Sequence, residues 1–311
     1  MIEVQGLTKR YGTFTAVQDL SFTVRPGEVL GLVGPNGAGK TSTLRSLAGI
    51  IPFSSGSVSI AGNDLAADPV AAKRRLAFFP DEPRLFDYLT VRQHLAFVAR
   101  IYGVADYESR AQPLLEELEI ADKADLLPGE LSRGMKQKLV IACGLLHEPS
   151  VMFFDEPLTG LDPLGIRRMK DSIMRRAQAG AAVVLSSHLL HLLQEVCTHV
   201  LIVKQGQKIA HGTLAEVVAR YSGGQLGVSL EEIFLRATAD GSPVEAASPP
   251  LISTAAAQPQ TPLGLCPESG EPPLPPPNPS AESSANAEPP LLSPESGGDA
   301  ASTPEPPLLP Q

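Results

Sequence analysis

Apolar positions in the first 61 residues fall into short runs that Gly and Pro separate, a pattern typical of β-strands. These runs are IEVQGL, FTAVQDLSFTV, VLGLVG and GSVSIAG. VLGLVG is continuously apolar, as a strand buried on both faces of a parallel sheet should be. It ends at a glycine-rich loop, after which a helix is predicted to begin near Lys40.

Apolar positions recur at three- and four-residue spacing from about Arg84 to Glu148, which predicts a mostly helical region. Two more continuously apolar runs, VMFFD and AVVLSS, predict buried strands on either side of an amphipathic helix. The segment VLIVKQGQKIAHG predicts a hairpin, and SLEEIFLRAT predicts a last short helix. The apolar face of the amphipathic helix consists of Ile166, Met169, Ile173 and Ala177.

The composition changes abruptly to Pro, Ser, Ala and Glu after about residue 239. We expect residues 239–311 to form a disordered tail with polyproline II stretches, because such a segment cannot bury enough apolar surface to offset its conformational entropy. A solvated linker is one interpretation of this tail, and a contact mediated by polyproline II is the other.

Charge is unevenly distributed along the chain. The net charge is −9, but residues 241–311 hold eight Asp or Glu and no Lys or Arg, which leaves about −1 for the rest. Nucleic acid is therefore not an expected partner, because phosphate backbones are bound by clustered Lys and Arg. Cys143, Cys197 and Cys266 form neither a metal-binding pattern nor a convincing disulfide framework. With no leader pattern and no membrane-length apolar run, we expect a cytoplasmic chain that reaches a membrane through a partner.

The segment GPNGAGKT, residues 34–41, matches the P-loop pattern GxxxxGK[ST] without a gap. Its glycines let backbone N–H groups converge on phosphate oxygens, and the helix N-terminus adds positive potential. We expect Lys40 to reach the β- and γ-phosphates of ATP and Thr41 to ligate Mg²⁺. An incidental glycine-rich turn is the alternative. The predicted ATP-binding residues here are Gly34, Asn36, Gly37, Ala38, Gly39, Lys40, Thr41 and Ser42.

The segment VMFFDEP places two carboxylates directly after a buried strand. Ligands bind at that edge of an α/β sheet. We expect Asp155 to hold Mg²⁺ through water and Glu156 to act as the general base that polarises the attacking water. His188, at the end of the next strand, is placed to contact the γ-phosphate, although a lone His is more often only a strand-end residue.

The segment LSRGMKQK, residues 131–138, resembles the LSGGQ signature of the ABC (ATP-binding cassette) ATPases. Other elements stand in the order of that family: Tyr11 at the adenine-stacking position, the P-loop, PDEP at the Q-loop, VMFFDEP, LTGLDP as the D-loop and SSH as the switch histidine. The resemblance covers residues 1 to about 238. We expect these residues to form one ATP-binding domain with a helical subdomain at about 84–148.

This resemblance implies an α/β P-loop NTPase core of the RecA-like type, with an antiparallel β subdomain and an inserted helical subdomain. It also implies a head-to-tail dimer in which Ser132 and Gly134 of one subunit complete the ATP site of the other, while Asp162 crosses the interface. ATP hydrolysis would then drive a separate transmembrane permease at the inner face of the cell membrane. Ser132 and Asp162 are also good helix N-caps. Capping by itself accounts for the LDP sequence at Asp162, but it does not explain why Ser132 and Gly134 stand two residues apart.

Three residues depart from the family pattern. Asp81 occupies the place of the Q-loop glutamine, and an ionised carboxylate there is able to ligate Mg²⁺ or water but not to donate a hydrogen bond. Arg133 and Met135 replace a glycine and the glutamine of LSGGQ. The segments PDEP, SRGMKQK and SLEEIF look most like ATPases that pair with ABC-2-type membrane exporters.

Two other functions stay open from the sequence. An ABC ATPase that acts on DNA or the ribosome is disfavoured, because the chain has neither the long insertion nor the second cassette of such relatives. A nucleotide-dependent regulator that hydrolyses ATP slowly is the other alternative, and Asp81 is its motivation. The second subunit of the dimer is either another copy of this chain or a related ATP-binding subunit.

Overall fold

The computed structural model describes residues 1–222, 225 and 227–239. The tail expected to be disordered lies outside the described residues from position 240 onward, whereas its first residue, 239, is the last of a helix. In this part of the chain, no helix has both the length and the apolar character needed to cross a bilayer.

The predicted strands at the N-terminus form an antiparallel sheet in the described chain, with the order β2-β1-β4-β5. Strand β1 pairs with β2 on one side and β4 on the other. The strand bounds are β1 Ile2–Tyr11, β2 Phe14–Val24, β4 Ser55–Ile60 and β5 Asn63–Asp64.

A larger sheet has the order β10-β9-β3-β8-β7-β6 among the described strands. Strands β9, β3, β8, β7 and β6 run parallel, and β10 pairs antiparallel with β9 in the predicted hairpin. The strand bounds are β3 Val29–Val33, β6 Leu76–Phe79, β7 Val151–Asp155, β8 Ala182–Ser186, β9 His199–Lys204 and β10 Gln207–Thr213.

Successive side chains of a strand point to opposite faces of a sheet, and every residue of β3, β7 and β8 is buried. Both faces of the larger sheet are therefore covered. Phe153 of β7 packs on the side of the antiparallel sheet and the first helix. Its neighbours Met152 and Phe154 pack on the side of the helices that follow residue 90. Phe154 stacks on Phe79 of β6 with ring centroids 4.3 Å apart. The predicted α/β fold class is confirmed, and its continuously apolar strands lie in the interior.

The helices of the described chain connect the strands or lie between them. Helices α3, α4 and α5 fall between β6 and β7, where the inserted helical subdomain was expected. The helix bounds are α1 Lys40–Leu47, α2 Pro69–Arg74, α3 Val91–Tyr102, α4 Tyr107–Glu117, α5 Arg133–Leu145, α6 Pro163–Gln178, α7 Leu190–Val196, α8 Leu214–Tyr221 and α9 Leu230–Ala239.

The helical region differs from its predicted extent at two places. Residues 81–90 are not helical, and α3 begins at Val91 after a capping box in which Thr90 and Gln93 bond each other's backbone N–H groups. The second helix ends at Glu117, before the end of its apolar pattern, and Glu119 has φ +56°. A left-handed residue cannot continue an α-helix, so two short 3₁₀ turns carry the chain onward to α5.

Candidate functional site

Strand β3 brings the glycine-rich loop to the carboxyl edge of the larger sheet. All five residues of β3 are buried, and helix α1 begins at Lys40 after the loop. Gly39, with φ +98°, occupies the N-cap position of α1 and has no side chain to bond the first N–H groups of the helix. These N–H groups and the positive end of the helix form an arrangement that suits a phosphate.

The loop is held against two other backbone segments by close contact. A Cβ atom at Gly39 would lie 2.3 Å from the Ala16 carbonyl oxygen, and one at Gly206, in the turn between β9 and β10, would lie 2.7 Å from the same oxygen. The Gly206 N–H donates to the Ala38 carbonyl at 3.0 Å, and the Gly206 carbonyl accepts from the Gln18 N–H at 2.8 Å. The position of the loop therefore depends on strand β2 and on the β9–β10 turn.

The Lys40 side chain folds over its own loop. Its Nζ donates to the carbonyl oxygens of Gly34 at 2.8 Å and Pro35 at 3.3 Å. Burial lowers the pKa of Lys40, and the nearby carboxylates of Glu156 and Asp155 oppose that shift. The ammonium group is therefore a partly desolvated cation between the loop and two acidic groups.

The Asp155 carboxylate ends β7 in a buried position, 3% exposed. Its Oδ1 accepts from Ser186 Oγ at 2.8 Å and from Thr41 Oγ1 at 3.2 Å. The parallel register places Asp155 opposite Ser186. Burial raises the pKa of Asp155, while the hydrogen bonds from Ser186 and Thr41 and the charge of Arg45 act in the opposite direction. A hydroxyl and a carboxylate thus converge beside the loop, and such oxygen donors fit Mg²⁺.

The Glu156 carboxylate faces His188. The Glu156 backbone has φ +52°, and the Glu156 N–H donates to the Ser186 carbonyl at 3.1 Å and to Ser186 Oγ at 3.2 Å. Glu156 Oε2 accepts from the His188 N–H at 3.1 Å and lies 2.8 Å from His188 Nδ1. Because an ionised carboxylate only accepts, the Nδ1 proton of His188 points at Glu156. The strained backbone of Glu156 thus directs its side chain toward His188. The histidine then holds the carboxylate through its backbone N–H and its ring.

The signature segment forms the start of α5. Ser132 caps this helix and accepts from the Met135 N–H at 3.3 Å. Gly134 lies against the Gly160 carbonyl, which would be 3.3 Å from a Cβ at that position. Asp162 caps α6 and accepts from the Gly165 N–H at 2.9 Å.

The signature and the D-loop line one open concavity of about 410 Å³. None of the residues of the glycine-rich loop, 34–41, is among those that line it. The lining residues are Ser132, Arg133, Gly134, Met135, Lys138, Gly160, Leu161 and Asp162.

Asp81 and Tyr11, two of the residues predicted for the site, contact side chains outside the glycine-rich loop. Asp81 Oδ1 lies 3.4 Å from Arg133 Nη2 on α5. Tyr11 is 47% exposed at the end of β1, with Lys9 Nζ 4.7 Å from its ring centroid. Within the described residues, neither side chain hydrogen-bonds to residues 34–42. Ser42, in the first turn of α1, is half-buried.

Ser186 is a residue that the sequence reasoning missed. Its hydroxyl contacts both acidic residues of the edge, as donor to the Asp155 carboxylate and as acceptor from the backbone N–H of Glu156. Its position as the first polar residue after the apolar run AVVL was the sequence feature that pointed to it.

Known proteins resemble this chain in sequence and in fold. The sequence profile described as "ABC transporter" matches residues 17–159. The ABC-type transporter ATP-binding protein EcsA of Bacillus subtilis (strain 168) is 33% identical over 240 residues, which cover 76% of this chain and 96% of EcsA. The chain belongs to the ABC transporter family.

Further relatives of this ABC ATPase agree in sequence and in fold. The Nod factor export ATP-binding protein I of Burkholderia thailandensis is 37% identical over 235 residues, covering 75% of this chain and 76% of that protein. A solved structure of the ATP-binding subunit of an ABC transporter has a TM-score of 0.73 and 35% identity, and covers 76% of this chain and 99% of its own. The chain is therefore an ATP-binding subunit of an ABC transporter, and it hydrolyses ATP.

Proposed function

We propose that this ABC ATPase binds Mg-ATP between two subunits and drives a separate membrane permease in export. The observation that carries the two-subunit site is the concavity beside Ser132 and Gly134, to which the P-loop of the same chain contributes no residue. A phosphate contact from this signature is therefore available to a nucleotide on another subunit. Asp162, which borders the concavity, is the residue we place at the interface.

The half-site at the P-loop supplies most of the groups that we expect to bind the phosphates. Lys40 and the N-terminus of α1 offer a cation and free N–H groups, and Ser42 offers a second hydroxyl. Thr41 and Asp155 would hold Mg²⁺, which supplies charge neutralisation at the β- and γ-phosphates when it is bound. Asp81 is predicted as a further metal ligand, but one of its carboxylate oxygens contacts Arg133. Tyr11 remains our candidate for stacking under the adenine.

Glu156 is the proposed general base. Its Oε2 lies 2.8 Å from His188 Nδ1, so the histidine orients the carboxylate. A water molecule between Glu156 and the γ-phosphate would lose its proton to this carboxylate. The half-exposed His188 ring is placed to contact the γ-phosphate on the same side.

Replacement of the base separates binding from chemistry. We expect Glu156→Gln to lower kcat at least about a hundredfold, because the amide cannot accept the proton of water, while ATP affinity stays within about threefold. Steady-state phosphate release and equilibrium binding of a fluorescent ATP analogue measure the two quantities. Unchanged hydrolysis in this variant would show that Glu156 is not the base.

The surface that we assign to the permease is an exposed apolar patch on the loop after Asp81 and on α3. Phe86, Tyr88, Phe97 and Ile101 are 55%, 91%, 41% and 58% exposed, and the rings of Phe86 and Phe97 meet edge to face at 5.2 Å. Exposed apolar patches of this kind mark protein interfaces. Export is supported by a relative named for Nod factor export. The subunit would then lie at the inner face of the cell membrane, bound to its permease.

Co-expression with the membrane protein encoded beside it tests this assignment. We expect the wild-type chain to sediment with the membrane fraction, and Tyr88→Ala to release most of it, because a central interface aromatic often contributes 2 kcal/mol or more, or about thirtyfold in affinity. Leu235→Ala on α9, also an exposed apolar side chain at 64%, is the matched control and should stay bound. Purely soluble behaviour of the wild type with and without the permease would refute the proposal.

A further inference from the structure

Two of the residues that depart from the ABC family pattern contact each other. Arg133 Nη2 lies 3.4 Å from Asp81 Oδ1, although 52 positions separate them in the sequence. A buried hydrogen bond supports this contact, from Gln137 Nε2 on the next turn of α5 to the Pro80 carbonyl at 3.1 Å. Gln137 is 2% exposed. The loop that contains Asp81 is therefore fixed to α5. The Asp81–Arg133 ion pair joins the same two segments.

The position of Arg133 is unfavourable for a cation unless an anion accompanies it. Arg133 is the first residue of α5, where the helix dipole places positive potential. Asp81 supplies the compensating negative charge. The side chains of Arg133 and Asp81 are 60% and 50% exposed, so water screens the pair and it shifts an equilibrium by about fivefold at most. A stronger anion is therefore able to displace Asp81.

The Arg133 guanidinium also borders the concavity in which we place the other subunit's nucleotide. It lines that concavity together with Ser132 and Gly134. Its side chain runs past Gly160, where a Cβ atom would lie 3.5 Å from Arg133 Nε. The other cation at this surface, Lys138, has Glu119 as a partner at 3.7 Å. The Lys138 side chain is only 17% exposed, whereas that of Arg133 is 60% exposed, so Arg133 is the more accessible cation of the two.

We propose that Arg133 binds the triphosphate carried by the opposing subunit and that Asp81 holds Arg133 in its place before ATP arrives. This inference rests on the proposed two-subunit site. ATP-driven association then exchanges one anion for another at the N-terminus of α5. Asp81 serves as the competing anion in this exchange, and not as a ligand of Mg²⁺. The two departures from the family pattern are one functional unit, in which Asp81 raises the ATP concentration needed for closure.

A double-mutant cycle in the Glu156→Gln background tests the exchange. The readout is the ATP concentration that gives half-maximal dimer, measured by light scattering after size-exclusion chromatography at fixed protein concentration. We expect Asp81→Asn to lower this concentration about two- to fivefold, because Arg133 is released. We expect Arg133→Gln to raise it about tenfold, because a charge-assisted phosphate contact is lost. The double variant should behave as Arg133→Gln alone.

The pair Arg92–Asp125 gives the matched control. It joins α3 to a loop of the same helical region at 3.3 Å, with side chains 57% and 84% exposed. Asp125→Asn removes an equivalent ion pair outside the concavity and should leave the ATP requirement unchanged. Urea midpoints within experimental error of the parent would show that each variant folds.

Different failures are distinguishable. If Asp81→Asn raises the Mg²⁺ concentration needed for dimerisation, and does so equally with Arg133 or Gln at position 133, then Asp81 is a metal ligand and the inference is wrong. If dimers form but Asp81→Asn has the same ATP requirement as the parent, the inference fails while the two-subunit site stands. If the Glu156→Gln parent forms no dimer at saturating ATP, the two-subunit site itself fails, and the inference with it.

Discussion

The hydroxyl of Ser186 links the Asp155 carboxylate to the backbone of Glu156 at the end of β7. It donates to Asp155 and accepts from the Glu156 N–H, so it affects both the charge of the first and the direction of the second. Asp155 needs this help because its burial raises its pKa. A protonated Asp155 is a poor ligand for a cation, so the hydrogen bond from Ser186 extends the pH range over which the site is charged.

Removal of the Ser186 hydroxyl gives a pH-dependent loss of activity. Because the pKa of Asp155 is already raised by burial, and the Ser186 bond lowers it, Ser186→Ala should move the acid limb of the ATPase profile to higher pH. At the acid end of the profile we expect about tenfold lower kcat/KM for Mg-ATP, with a smaller loss at alkaline pH. The measurement is the pH profile of kcat/KM at fixed free Mg²⁺.

The neighbouring serine provides the control for this change. Ser187 is also buried, but its Oγ accepts from the Leu189 N–H. Ser187→Ala should therefore leave the acid limb in place.

In stability measurements, the pH dependence that Asp155 contributes has the opposite sign to that of an ion-paired carboxylate. The folded state holds the Asp155 proton more tightly than the unfolded chain does, so this group's contribution to the free energy of unfolding falls as pH rises through the raised pKa.

Single residues were predictable where a motif fixes their place on an element. Thr41 and Asp155 were expected near each other because both follow buried parallel strands, and they hydrogen-bond at 3.2 Å. The contact between Asp81 and Arg133 was not predictable. It depends on how the loop after β6 meets the start of α5, and spacing along the chain contains no information on that approach.

At the scale of elements, the glycine-rich loop is supported by a hairpin that is distant in sequence. The turn between β9 and β10 reaches the loop through the Gly206 N–H and fits only because Gly206 has no side chain beside the Ala16 carbonyl. A disturbance at this turn should therefore reach the phosphate site.

A substitution at this turn tests the support. Gly206→Ala places a Cβ atom 2.7 Å from the Ala16 carbonyl oxygen, so the turn or strand β2 must shift and the bond to Ala38 weakens. We expect ATP affinity to fall about tenfold and stability by about 1–3 kcal/mol. Binding of a fluorescent ATP analogue and urea unfolding measure the two effects.

The turn between β4 and β5 offers a control with the same backbone conformation. Gly62 has φ +82°, against +78° at Gly206, but no atom lies within 4 Å of its Cβ position. Gly62→Ala should cost only the left-handed strain, about 1 kcal/mol, and leave ATP affinity unchanged. Equal losses of ATP affinity in the two variants would contradict the role of the β9–β10 turn.

Elements with a clear apolar pattern were predicted well, and three short helices without one were not. Strand β2 and the β9–β10 hairpin appear where the pattern placed them, and α6 buries Met169, Ile173 and Ala177 of its predicted face. Helices α2, α7 and α8, with six, seven and eight residues, were missed. Helices of about two turns contain too few positions to show a period, and tertiary contacts decide whether they form.

At the scale of the whole molecule, the P-loop and the signature lie at separate places. The P-loop and its carboxylates lie at the edge formed by β3 and β7, and the signature lies in a concavity lined by other residues. Under the two-subunit site that we propose, a single copy has two incomplete half-sites. The boundaries of the ATP-binding domain at residues 1–238, and the role of the tail, stay predictions.

Hydrolysis should depend on protein concentration. If catalysis requires two subunits, specific activity should rise with concentration below the dimer dissociation constant and then level off. Steady-state phosphate release at saturating Mg-ATP, over about a hundredfold range of protein concentration, is the measurement. Ser132→Arg, which fills the concavity but leaves the P-loop intact, should remove this dependence together with the activity. Constant specific activity over the whole range would contradict a two-subunit site.

The exposed rings of Phe86, Tyr88 and Phe97 have a consequence for the supply of this protein in the cell. If these rings bind the permease, as we propose, a subunit made without its permease exposes an apolar surface to other proteins. Chaperones and proteases remove chains with that property, so a surplus of free subunit would be short-lived. The abundance of the ATPase is then set by the amount of membrane protein available to cover it, and equal synthesis of the two is the least wasteful arrangement.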